Sequence, residues 1–155
     1  MHVYAILPSR AGTTPGFWLD QLEEAHSRLL GAIDHLQQLA EGPAPDKELL
    51  VTVRWRVSEA SLARRLLWGR IHDALARQCD PIVERDLREL QEADIRLIRA
   101  SADHVARWPA DAVIGDWEGY CRASEAMRRQ MTDAVAVERR LLCPILEAIE
   151  TRPKS

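Results

Sequence analysis

The sequence predicts an all-α fold, an up-down-up-down four-helix bundle built from two pseudo-repeated helical hairpins. Three observations carry that expectation. Apolar residues recur at spacings of three and four over long stretches, which is the period of a helix and not of a strand. The second half of the chain also echoes the first: Leu22, His26 and Leu29 return as Leu90, Asp94 and Leu97, inside EEAHSRLL (Glu23 to Leu30) and QEADIRLI (Gln91 to Ile98). CDPIVE (Cys79 to Glu84) is echoed by LCPILE (Leu142 to Glu147). Finally, the connections are short, as antiparallel neighbours require.

Residues 1–16 carry Gly12, Pro8, Pro15 and Gly16, which disfavour a regular element, and read as an extended N-terminal arm. The bundle then occupies residues 17–150, and residues 151–155 form a C-terminal tail. Helix one runs from about Phe17 to Glu41 with the stripe Leu19, Leu22, His26, Leu29, Ile33 and Leu36, in which His26 is the polar member. Gly42 to Lys47 is a turn by composition.

Residues 49–57 read two ways. Val51, Val53, Trp55 and Val57 alternate with polar residues as a strand would, yet Val53, Val57 and Ala60 fit a helix continuing to Val83. The repeat favours helix, with Val57, Ala60, Leu67, Ile71, Leu75 and Ile82 on its stripe. Helix three, from about Asp86 to Arg107, presents Leu87, Leu90, Asp94, Leu97, Ser101 and His104 or Val105, and Trp108 and Pro109 stop it. Helix four presents Trp117, Cys121, Ser124, Met127, Met131, Ala134, Glu138, Leu141 and Ile145. Pro81 and Pro144 are placed in the last turns of helices two and four, where a proline kinks or ends a helix.

A chain of 155 residues, 46% of them apolar, supports one buried core and one domain. Its net charge of −3 is interspersed, with no basic stripe for a phosphate backbone, so nucleic acid is excluded as an expected partner. No stretch approaches the ~20 apolar residues of a membrane span and no leader pattern is visible, so a cytoplasmic protein is expected, away from membranes. Cys79, Cys121 and Cys143 form no C-x-x-C and read as small packing groups. The paired arginines at Arg64 and Arg65, Arg128 and Arg129, and Arg139 and Arg140 read as solvated helix faces. No Ser-His-Asp signature, phosphate-cradling loop or nucleotide fingerprint is present, so no catalytic residue is assigned.

With E-x-H on the first helix (Glu24 to His26), E-x-D on the third (Glu92 to Asp94) and prolines toward the ends of the second and fourth, the chain resembles the hemerythrin-like (HHE cation-binding) family. The resemblance covers Phe17 to Glu150. It implies histidine ligands on helices one and three, and a His-x-x-x-Glu pair on each of helices two and four, together holding two iron ions. Carried onto this chain, the first-helix position is His26 and the third-helix position is Asp94. Counting back from Pro144 gives Ala134 and Glu138, and counting back from Pro81 gives Ile71 and Leu75, which cannot ligate. His72 is one residue off that seam, and a local register shift would recruit it.

His26, Asp94 and Glu138 are therefore a candidate triad, one from each of three helices, with His72 as a fourth possible ligand. Unpaired buried charges cost several kcal/mol, so the three should find one another or an ion. One reading is a hydrogen-bonded remnant of a decayed di-iron site that needs no cofactor, in a non-enzymatic binding or sensory module with a small ligand in the bundle core. A second is a working protein with one or two metal ions (iron, or manganese or zinc) that binds oxygen, nitric oxide or iron. A third is a helical scaffold or homodimer that uses outer-face tryptophans, Trp55 and Trp68.

Overall fold

The computed structural model describes residues 16–78 and 80–150. Among these residues the chain is all-α, with no strand. Its helices are α1 (Phe17–Ala40), α2 (Lys47–Leu75), α3 (Pro81–Arg107), the short α4 (Ala110–Gly115) and α5 (Trp117–Glu150), with a 3-10 turn at Ala76–Gln78 after α2. The arm expected at 1–16, save Gly16, the tail at 151–155, and Cys79 lie outside the described residues. No helix among the described residues is long and apolar enough to cross a membrane.

Short polar side chains start three of the four long helices. Asp46 accepts from the backbone N–H of Leu49 (2.8 Å) at the head of α2, Asp80 from Ile82 (2.9 Å) at α3, and Asp116 from Gly119 (3.0 Å) at α5. Each satisfies a donor that the first helical turn leaves free. Helix α1 departs from Gly16, whose φ of 89° suits glycine, and has no side-chain cap from its own segment. Glu150, the last residue of α5, supplies one instead: its carboxylate accepts from the N–H of Trp18 (2.6 Å) and of Leu19 (3.4 Å).

Residues 49–57 are helical throughout. The strand-like alternation has a simple origin, because a two-residue step turns a helix by about 200°. Val53 and Val57 are buried, whereas Val51 and Trp55 are exposed on the opposite side. Helix α2 does not reach Val83. Pro81 is the first residue of α3, where a proline's missing N–H costs nothing, and Ile82 is exposed in that first turn and does not belong to the α2 stripe. Pro144 does lie inside a helix, and α5 continues past it to Glu150. The two prolines are therefore not structural counterparts.

Helix α1 packs on α2 and on α5, and α3 packs on α5. Two apolar clusters fill the space between them. One joins Trp18 and Leu22 to Ile71, Leu75, Leu142 and Leu146; the other joins Leu29 and Ile33 to Val53, Val57, Met127 and Met131. Residues early in α1 meet residues late in α2 and α5, so these neighbours run antiparallel. On α5 the stripe drifts from the expected Leu141 and Ile145 to Leu142 and Leu146, which are fully buried. Helix α4 closes one end, where Val113 joins Leu50, Trp108 and Tyr120. Each of these larger side chains contributes about 1.5–3 kcal/mol through burial.

Candidate functional site

Between the two apolar clusters lies one polar layer, and each of four helices contributes one side chain to it. His26 sits between Leu22 and Leu29 on α1, Arg64 between Ala60 and Leu67 on α2, Asp94 between Leu90 and Leu97 on α3, and Glu138 between Val135 and Leu142 on α5. In every case the flanking residues belong to different clusters. Helical spacing thus places all four at one height, facing inward.

The four are connected. His26 Nε2 lies 2.5 Å from Glu138 Oε2. The guanidinium of Arg64 donates one nitrogen to the other oxygen of Glu138 and another to Asp94 Oδ1, at 3.0 Å for the latter. The His26 and Arg64 side chains are 0% and 1% exposed, Glu138 is 5% and Asp94 is 15%. The layer sets two carboxylates against one guanidinium and one imidazole. Within the apolar interior, that pairing offsets the desolvation of each group.

The structure brings His26, Asp94 and Glu138 into one layer, joined through Arg64, one of the paired arginines expected on a solvated helix face. Asp94 reaches Glu138 only by way of Arg64. The signal for Arg64 was present: it fills the vacant slot between Ala60 and Leu67 on the α2 stripe, four residues after one and three before the other. His72 is not part of the layer. It is two turns further along α2, 25% exposed, with its ring against Trp68 and Nδ1 3.7 Å from Asp73 Oδ1. Ile71 and Leu75, which the family resemblance placed at ligand positions, are buried in the apolar cluster.

These residues do not fit the di-iron centre that the resemblance implies. Among the described residues, no three His, Cys, Asp or Glu side chains are grouped as a metal site. The fixed positive charge of Arg64 already lies between the two carboxylates a cation would need, and would repel it. His26 Nδ1 and Arg64 Nε are buried and meet no hydrogen-bonding partner among the described residues.

A second polar neighbourhood lies toward α4. Tyr120 is fully buried, with the guanidinium of Arg54 5.4 Å from its ring centre and the His104 ring 5.8 Å away. Burial pushes the Tyr120 phenol above its usual value, against the pull of Arg54. Burial, reinforced by Arg54, holds His104 below the ordinary imidazole value. His104 therefore packs against an aromatic ring with a cation nearby. Burial also raises the thiols of Cys121 and Cys143, which favours their neutral, unreactive form. An open groove of about 530 Å³ lies outside the core between α1 and α5, lined by Gln37, Glu41, Cys121, Arg128 and Asp133 among others. Of the two tryptophans expected on an outer face, Trp68 is buried, whereas Trp55 is 65% exposed.

Comparison with protein-family models, with curated proteins and with solved structures finds no match to this chain.

Proposed function

We propose that the chain is a non-enzymatic binding module, an up-down-up-down bundle of two pseudo-repeated hairpins of hemerythrin-like type, in which a guanidinium has taken the role of the metal. The observation that carries this reading is the position of Arg64, bridging Glu138 and Asp94 at the level where His26 meets Glu138. A metal centre holds several helices together through one cation. Arg64 does the same with a permanent positive charge and a planar fork of donors suited to two carboxylates. In this reading the layer fixes the register of the four long helices, and recognition of partners falls to the outer faces.

The test is elemental analysis of protein purified without chelator or affinity nickel, before and after anaerobic exposure to ferrous iron. The expected result is no stoichiometric iron, manganese or zinc in either state. One metal or more per chain, lost on His26→Ala or Glu138→Ala, would overturn the proposal and make the chain a metal protein. Arg64→Ala serves as a second probe: a gain of metal affinity on removing the guanidinium would support the view that Arg64 occupies a former cation position.

A further inference from the structure

All ten exposed large apolar side chains among the described residues lie on α2, α3 or α4, and none on α1 or α5. The asymmetry is strongest on α2, the least amphipathic of the four long helices. Its inward stripe is complete, yet Val51, Trp55, Leu62 and Leu66 are 47–65% exposed. At 100° per residue these four fall within an arc of about 60°, on the side of α2 opposite its buried stripe. A second apolar stripe has no role in the core of one chain.

The spacing of that stripe is symmetric. Val51 and Trp55 are four residues apart, as are Leu62 and Leu66, so the set reads the same from either end, about a midpoint between Ser58 and Glu59. Such a stripe complements itself when two copies of the helix run antiparallel: Val51 meets Leu66 of the second copy, and Trp55 meets Leu62. On α3, Ile95, Ile98, Ala102 and Val105 are exposed at spacings of three, four and three, also symmetric, about Ala100. The Arg64–Asp94 bond sets the relative height of α2 and α3. Ser58 and Ala100 each lie about six residues, ~9 Å, from that bond and on the same side of it, so the two midpoints share one height. A single two-fold axis perpendicular to the helices, running beside them at that height, would pair both stripes with their own counterparts.

We propose that the α2 face is an interface with a second copy of this chain, in which two α2 helices pack antiparallel across a two-fold axis at Ser58 and Glu59, flanked by the α3 stripes. The seven large exposed side chains of α2 and α3 named above offer roughly 700 Å² per protomer, near the ~800 Å² each partner contributes to a stable interface. Trp55 is the anchor, a large ring set close to the axis, where truncation costs most. A self-complementary patch is what a closed, isologous dimer requires, whereas a partner of another sequence would not impose the symmetry.

Sedimentation equilibrium of the full chain over a wide concentration range tests this. The expected result is a dimer, with Trp55→Ala raising its dissociation constant about thirtyfold or more at unchanged helicity. Crosslinking supplies an independent arm in a background of Cys79→Ser, Cys121→Ser and Cys143→Ser. Under mild oxidation Ser58→Cys should link to its own counterpart, since it lies beside the axis. Gly69→Cys should not, because its counterparts stand about 30 Å apart. A monomer at every concentration would overturn the proposal and leave the stripe to a partner of different sequence. A dimer that links at Gly69 and not at Ser58, or that is indifferent to Trp55→Ala, would overturn it equally.

Discussion

Arg64 and Glu138 meet in the protein interior with their side chains 1% and 5% exposed, and neither can exchange the other for bulk water. Removing one member of such a pair strands the rest, while removing all of them does not. Arg64→Met alone should therefore cost about 3–5 kcal/mol, because Glu138 and Asp94 lose their shared cation. Replacing the whole layer, His26→Leu, Arg64→Met, Asp94→Leu and Glu138→Leu, should recover most of that loss. Urea unfolding of the two variants checks it; a fourfold variant no more stable than Arg64→Met would show that the layer adds net stability beyond mutual compensation.

The depressed His104 makes stability fall on acidification. Its folded value lies below the unfolded one, so the unfolded chain takes up the proton first. The contribution is complete above the ordinary imidazole range and is lost as pH falls through the folded value. Thermal unfolding between pH 7.5 and 5 should show a decline that His104→Gln reduces. An unchanged slope in that variant would place the acid sensitivity elsewhere.

Glu150 works in the opposite sense. Burial raises its carboxyl, against the lowering effect of the bonds from Trp18 and Leu19, so its contribution is full below the unfolded carboxyl value and is lost as pH rises through the folded one. Glu150→Gln keeps an acceptor for the Trp18 N–H and should remove that part of the pH dependence. Glu150→Ala should lose about 1 kcal/mol as α1 gives up its cap. Equal stability of the Gln and Ala variants across the carboxylate range would refute the capping role.

Pro144 is exposed and sits within continuous helix, with no N–H to offer the turn before it. Pro144→Ala should stabilise the chain by about 2 kcal/mol, the interior penalty of proline less the entropy alanine restores to the unfolded chain. Chemical denaturation measures it. A destabilised variant would mean that the backbone geometry proline imposes is needed by the Leu142 and Leu146 packing.

The sequence made legible what depends on period. Stripes of three and four located the long helices, and the polar interruptions at His26, Asp94 and Glu138 identified three of the four members of the buried layer. Arg64 was obscured because arginine beside arginine is the ordinary composition of a wet helix face, and only its slot between Ala60 and Leu67 tells otherwise. Proline spacing misled for a physical reason: the residue is tolerated both at a first helical position and, at a cost, inside a helix. Pro81 and Pro144 use these two options, so counting back from them puts different heights into register. Val51 and Trp55 blurred the reading of α2 because two apolar faces on one helix imitate the alternation of a strand. The short α4 has too few turns to show a period.

The hydrogen bonds from Trp18 and Leu19 to Glu150 bring the start of α1 against the end of α5, so that the backbone from one to the other is almost a closed ring. A ring has no privileged opening. A linker joining those two ends, with new termini cut in the 41–46 connection, would string the helices in the order α2, α3, α4, α5, α1 while keeping every packed face and every member of the polar layer. Helix order along the chain is then a matter of connection, and the four inward polar residues meet in the same layer whichever order is used.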